Sequence, residues 1–403
     1  MTAGACSSGC VRPDRMSLRV FILAGEPSGD RLGAALMRGL KDLSPAVSFE
    51  GIGGSLMQAE GLRSQFPMEE LSVMGIAEVL PKYFDLKRRI QETADAVVAM
   101  QPDVMITIDS PDFSLRVAKL VKDVSDIRTV HYVAPSVWAW RPGRATKMAK
   151  VIDHVLALLP FEPPYMEAVG MECDFVGHPV VAEPQATEAE ISAFRAAFNL
   201  GDAPVLLALP GSRRSEVARL ADVFGAALRE FHAKHPEHRI VVPAAAHVAP
   251  LVREKLIDWP EGCIVLDPAD HAVAEFAAYK RAAFATANLA LAASGTVSLE
   301  LAAARTPMVI AYRFNWLTWQ IMKRMALIDT VTLVNLVSET RVVPECLGPD
   351  CTAEIIAARL DQVLNAPDAQ QDAMRLTMDR VGEGGDAPGL RAARAVLERL
   401  PQV

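Results

Sequence analysis

Four apolar runs in this chain, Leu18–Ala24, Val104–Ile108, Val205–Leu209 and Ala287–Ala292, each break off into a turn of small and charged residues and restart as a helical pattern. Short runs without alternation are the mark of strands buried on both faces, and strand, turn, helix, strand is the order of a parallel sheet wound with helices. Arg31–Leu43 carries a helical period, and Val47–Ile52 and Thr129–Val133 read as further strands of the first half. After Val180-Val181-Ala182-Glu183-Pro184 the pattern begins again: a helix over Glu188–Phe198, then strands at Arg239–Val242 and Ile264–Leu266 among the runs already named. The expected fold is therefore α/β, with two Rossmann-like doubly wound domains. Their expected limits are 18–183 and 184–365, preceded by a tail over 1–17 and followed by helices over 366–403 that pack back on the first domain.

A length of 403 residues suits two large domains with their own cores. Lys and Arg number 41 against 49 Asp and Glu, a net charge of −8, so nucleic acid is not expected as a partner. Six cysteines lie scattered with no paired spacing, which reads as reduced thiols and not as a zinc site. The charge-free stretch Ala282–Leu299 is interrupted by Thr286, Asn288, Ser294, Thr296 and Ser298, too polar for a membrane span.

In such sheets ligands bind beyond the carboxyl ends of the strands, so the four turns are where chemistry is expected. The first, Ala24-Gly25-Glu26-Pro27-Ser28-Gly29-Asp30, fits neither the dinucleotide nor the P-loop pattern. Glu26 and Asp30 would repel a diphosphate but suit sugar hydroxyls, which assigns Glu26, Ser28 and Asp30 to an acceptor; helix capping by Ser28 and Asp30 explains the same residues equally well. In the second turn, Ser110 and Pro111 start a helix and leave Asp109 at the strand end as a candidate base, while Asp112 reads as a capping residue.

The third turn, Pro210-Gly211-Ser212-Arg213-Arg214, joins a helix N-terminus to an arginine fork and reads as a diphosphate seat, chiefly through Ser212 and Arg213. The fourth, Ser294-Gly295-Thr296, offers a second set of N–H groups, with Glu300 one helical turn on as an acceptor for ribose hydroxyls. His131, Tyr132, Trp138 and Trp140 beside Arg141, Arg144, Lys147 and Lys150 make a local basic patch for a phosphate or anionic headgroups, unless the tryptophans are core. Val79 and Leu80 next to Lys82, Lys87, Arg88 and Arg89 have the composition of an interfacial helix, and equally of a packing helix.

These strings, with His131-Tyr132-Val133-Ala134-Pro135-Ser136-Val137-Trp138-Ala139-Trp140 and Val334-Asn335-Leu336, closely resemble the lipid-A-disaccharide synthase family, in order from about residue 18 to 345. The resemblance implies a GT-B glycosyltransferase whose two domains face a central cleft. It implies an inverting transfer from UDP-2,3-diacylglucosamine to 2,3-diacylglucosamine 1-phosphate, with no metal and no cofactor. The family's general base then falls on Asp109, its diphosphate arginine on Arg213, its ribose-contacting glutamate on Glu300 and its uridine-site asparagine on Asn335. Pro27 and Arg214 depart from the family's usual residues, which touches acceptor detail more than chemistry. Peripheral contact with inner-membrane lipid at its cytoplasmic face follows from two lipid substrates, and a homodimer is compatible with the reading. Another GT-B UDP-sugar transferase or epimerase, or a non-catalytic nucleotide-sugar binder, would share the second-half turns.

Overall fold

In the computed structural model, which describes residues 17–71 and 76–400, the apolar runs become two parallel sheets. The first is built from β1 (Arg19–Ala24), β2 (Ser48–Ile52), β3 (Arg63–Ser64), β4 (Val104–Ile108), β5 (Arg128–Tyr132), β6 (His154–Ala157) and β7 (Glu172–Phe175). Its strand order is β3-β2-β1-β4-β5-β6-β7. The second holds β8 (Val205–Leu209), β9 (Arg239–Pro243), β10 (Ile264–Leu266), β11 (Ala287–Ala293), β12 (Met308–Tyr312) and β13 (Glu345–Leu347), in the order β10-β9-β8-β11-β12-β13. Each order reverses once, between β1 and β4 and between β8 and β11, where adjacent strands run on to opposite sides and leave a crevice. The four turns singled out above leave the carboxyl ends of those four strands.

β1, β8 and β11 are apolar along their central residues, and β4 is broken only by the buried Thr107, because helices cover both faces; Val20–Ala24, Val104–Met105 and Val205–Leu207 are fully or almost fully buried. One core surrounds the first sheet and two flank the second. The chain's last helices divide between them. Ala373, Met374 and Met378 of the helix Asp368–Arg380 join the second domain's core, whereas Ala392, Ala393 and Val396 of the helix Pro388–Glu398 join the first.

That last helix lies against Pro27–Leu43, the helix that carries the first turn, and glycine sets the approach. A Cβ at Gly389 would sit 2.5 Å from the Ala35 carbonyl oxygen, and one at Gly39 2.7 Å from the Gly389 oxygen. These are backbone atoms that cannot swing away. Gly389→Val is therefore expected to cost about 1–3 kcal/mol by overpacking and to lower the melting temperature by several degrees. Gly143→Ala, at a glycine with open space around it, should leave the melting temperature unchanged; equal melting of the two variants would show that the helices do not meet this closely.

Candidate active site

The turns after β1 and β4 touch. A side chain at Gly25 would meet Ser110 Oγ at 2.5 Å and Ser110 Cβ at 3.0 Å, so a larger residue here would push on the β4 turn. Asp109 and Ser110 both hold left-handed backbone, with φ of 50° and 46°, and Val133 at the end of β5 has φ of 84°. Consecutive non-glycine residues in that region are costly and persist where the surroundings impose them. Ser110 does stand at the N-cap of the helix Pro111–Lys122, yet its hydroxyl caps nothing; instead Ser114 Oγ donates to the Asp109 carbonyl and Asp109 N–H donates to Tyr132 O. The twist leaves the half-buried Asp109 carboxylate with no hydrogen-bond donor among the described residues.

Glu26 faces the same opening. Burial raises its pKa, the Asp109 carboxylate raises it further, and Arg213 of the second domain lowers it. Glu26 is thus close enough to Asp109, and across the two domains to Arg213, to feel both charges. Ser28 is exposed one residue beyond Pro27, at the mouth of the opening. Asp30 is different: it is buried, and its carboxylate accepts from Gly54 N (2.9 Å), Leu56 N (3.0 Å) and Met57 N (3.0 Å). The acceptor role expected for Asp30 is corrected accordingly, since its lone pairs already satisfy the N-terminus of the short helix Ser55–Ala59.

On the second domain Gly211 turns with φ of 117°, and Ser212 and Arg213 emerge exposed. The N–H groups of Ser212 and Arg213 lie 3.1 and 3.3 Å from Glu216 Oε2, and Arg213 Nη1 is 3.0 Å from Glu216 Oε1. A carboxylate of the same helix thus engages the groups expected to seat an anion. Sequence reading passed over Glu216, although an acid three residues into a helix is a regular partner for its own N-terminus. Ser294, Gly295 and Thr296 open the helix Val297–Ala303, with open space around Gly295.

Glu300 Oε2 accepts from Lys280 Nζ at 2.7 Å, a partner the sequence did not suggest. Both line a cavity of about 80 Å³ with Glu183 and Pro184 of the interdomain link, and Glu183 lies 3.7 Å from Arg31 of the first domain. Asn335 is buried, its amide donating to Val343 O and Thr330 Oγ1 and accepting from Val343 N. That amide holds two loops together, and the donors and acceptor expected to meet uridine are engaged within the chain.

The aromatic and basic patch separates into core and surface. His131 is buried with Nδ1 2.6 Å from Thr107 Oγ1, and burial pushes its pKa down to about 4; Tyr132 is buried too. Trp138 packs in the second domain's core, edge-on to Phe161. Only Trp140 meets the cations, with the Arg141 and Arg144 guanidinium carbons 4.1 and 5.5 Å from its ring centre. Val79 and Leu80 fall in the helix Ile76–Met100, but their side chains lie outside the described residues. Farther along that helix Arg89 pairs with Glu70 and Glu92, and Arg88 with Asp85 and Glu92, while Phe84 is 80% exposed.

Trp138 Nε1 donates to Glu162 Oε1 at 3.2 Å, and Glu162 Oε2 accepts from Leu158 and Leu159 N–H groups. Burial still dominates and lifts the Glu162 carboxyl from 4.5 to about 7. Folding therefore favours its protonated form, and stability from this group declines as pH rises from about 4.5 through 7. Tryptophan emission is expected to titrate with a midpoint near 7 and to lose that component in Glu162→Gln; an unaltered titration would contradict the assignment.

Two sheets wound in the same order, with Glu26 and Asp109 in the switch-point turns of one and Ser212 and Arg213 in those of the other, define a GT-B type enzyme fold. Solved structures agree. UDP-GlcNAc 2-epimerase from Neisseria meningitidis, solved bound to UDP-GlcNAc, superposes with a TM-score of 0.62 at 13% identity, covering 95% of this chain and 99% of that one. The S. aureus MnaA–UDP co-structure gives 0.63 at 12% identity, covering 94% and 95%. The sequence is more specific. The lipid-A-disaccharide synthetase family matches residues 20–387. Lipid-A-disaccharide synthase of Ruegeria pomeroyi is 72% identical over 97% of this chain and 98% of its own length, and that of Rhodospirillum centenum 46% identical over 94% of both. The chain belongs to the lipid-A-disaccharide synthase family.

Proposed function

We propose that this chain transfers a 2,3-diacylglucosamine unit from UDP to the 6-hydroxyl of 2,3-diacylglucosamine 1-phosphate, producing a β-1,6-linked disaccharide 1-phosphate and UDP for lipid A. The observation that supports the reading is that Glu26, beside Asp109, lies within electrostatic reach of Arg213 across the opening between the domains. The acceptor oxygen forms its bond to the donor's anomeric carbon as the bond from that carbon to the diphosphate breaks. Its proton passes to the Asp109 carboxylate, and the electron pair leaves with UDP. Attack opposite the leaving group needs the base on one domain and the diphosphate on the other, which a two-domain cleft supplies.

Arg213, Ser212 and the N–H groups of the Ser294–Thr296 turn meet the diphosphate, whose charge takes over the seat held by the Glu216 carboxylate. Lys280 fixes one oxygen of Glu300 and leaves the other for a ribose hydroxyl. Glu26 and Ser28 border the acceptor, with Arg141 and Arg144 reaching its 1-phosphate or anionic headgroups. A cavity of about 400 Å³ lined by Val137, Pro142, Ala145, Tyr165, Ala168 and Val169 adjoins that arginine segment and has the apolar walls an acyl chain needs.

The test is incubation with both lipids in detergent. Disaccharide and UDP should form in equal amounts only when both are supplied. Epimerised donor, or UDP released without acceptor, would overturn the reading in favour of the epimerase likeness.

Membrane contact is proposed for the helix Ile76–Met100, which carries exposed Phe84 beside Lys87 and Arg88, at the cytoplasmic face of the inner membrane. Among the described residues no helix is long and apolar enough to cross a bilayer. Phe84→Ser should weaken sedimentation with anionic liposomes by up to about 1.5–3 kcal/mol, the burial of one such side chain. The melting temperature read alongside separates lost membrane contact from lost packing. Unchanged sedimentation would rule this face out.

A further inference from the structure

The helix Arg214–Lys234 begins at the anion seat and ends in a histidine-rich turn, Lys234-His235-Pro236-Glu237-His238, which the reading of the catalytic turns does not use. At about 1.5 Å per residue its 21 residues put that turn on the order of 30 Å from Arg213. His235 Nδ1 lies 3.6 Å and His238 Nδ1 3.2 Å from the same oxygen, Glu237 Oε1, and the three donor groups fall within 4.8 Å of one another. Ligands about 2.0–2.2 Å from a tetrahedral ion stand roughly 3.4 Å apart, so these separations straddle the edge of a zinc polyhedron.

Two further observations point the same way. His238 is only 4% exposed, and neither ring nitrogen has a hydrogen-bond partner in the described structure, its approach to Glu237 missing the required geometry. Nδ1 faces the Glu237 carboxylate at 3.2 Å outside hydrogen-bond geometry and Nε2 faces nothing polar enough to bond, and a buried imidazole left so is costly unless something binds it. On the other side, His235 Nε2 lies 2.7 Å from Asp361 Oδ1, which leaves Nδ1 turned toward Glu237. A carboxylate on the far nitrogen is the usual outer partner of a metal-bound histidine, since it fixes the ring and raises its basicity. Phe231 packs against both rings, with centroids 4.7 Å from His235 and 5.3 Å from His238, and the turn is closed by His238 N–H to His235 O at 3.2 Å.

We propose that His235, Glu237 and His238 form a binding site for a divalent transition-metal ion of zinc's type, with Asp361 as the outer partner of His235 and the fourth position open to solvent. Two imidazoles and one carboxylate favour such an ion over magnesium or calcium, which take oxygen donors. Glu237 is half-exposed, so the ion has a path in. The site stands apart from glycosyl transfer and acts on the stability of the second domain, because an ion that binds only the folded chain stabilises it.

Calorimetric titration of the full chain with zinc chloride is the test, run on the parent and on Glu237→Gln and Asp361→Asn. The parent should bind one zinc ion more tightly than Glu237→Gln by tenfold or more, and than Asp361→Asn by about 10–100-fold. Zinc should raise its melting temperature while leaving that of Glu237→Gln unmoved, although the two melt alike without zinc. Turnover should be the same in all three. No zinc bound by the parent, or equal binding and equal thermal shift in parent and Glu237→Gln, would overturn the site, the second result placing any zinc on the cysteines or elsewhere.

Discussion

Asp109→Asn is expected to abolish nearly all turnover while the chain keeps its fold and its affinity for UDP. The amide fills almost the same space at the end of β4 but cannot accept the acceptor's proton. General bases contribute about 10²–10⁴-fold, so kcat should fall by that factor with UDP binding unchanged. The left-handed backbone at Asp109 tolerates asparagine well, which keeps the substitution from acting through misfolding. Turnover within a few-fold of the parent would remove Asp109 from the reaction.

Arg213→Ala should instead weaken ground-state binding and slow the reaction together. In the parent the guanidinium and two N–H groups hold Glu216. Without Arg213 the seat keeps the carboxylate and loses the cation, so UDP meets repulsion where it had a partner. A lost charge-assisted bond is worth about 1.5–3 kcal/mol, or roughly tenfold to a hundredfold in UDP affinity. Where the leaving group gathers charge the loss is about 2.7–4 kcal/mol, and kcat should drop as well. Unchanged UDP affinity by calorimetry would show that the diphosphate lies elsewhere.

The sequence disclosed the switch-point strands and their turns because continuous burial on both faces writes itself as unbroken apolar runs. β3 spans only Arg63–Ser64 and β7 mixes polar with apolar residues, so neither leaves such a run; β12, Met308–Tyr312, is apolar enough and was overlooked. Arg31–Leu43 was read as helix, yet the helix starts at Pro27, because proline is well suited to a first turn. Within the site, spacing singled out Asp109, Arg213 and Asp30 alike and could not separate direct contact from support. Asp30 and Asn335 are satisfied by backbone groups 24 and 8 residues away, pairings that exist only once the loops have folded against them. His131, Tyr132 and Trp138 looked like part of a basic surface for the same reason: adjacency in sequence hides that β5 and the segment after it run inward before Trp140 comes out.

Direct displacement by a hydroxyl whose proton goes to Asp109 fixes the stereochemistry of the product. The most direct measurement is therefore the anomeric configuration of the new linkage, read by proton NMR from the coupling of the new anomeric proton in disaccharide made by the purified chain from an α-linked UDP donor. The large coupling of a β linkage is the expected result. The small coupling of an α linkage would mean retention and would contradict direct attack with Asp109 as the base.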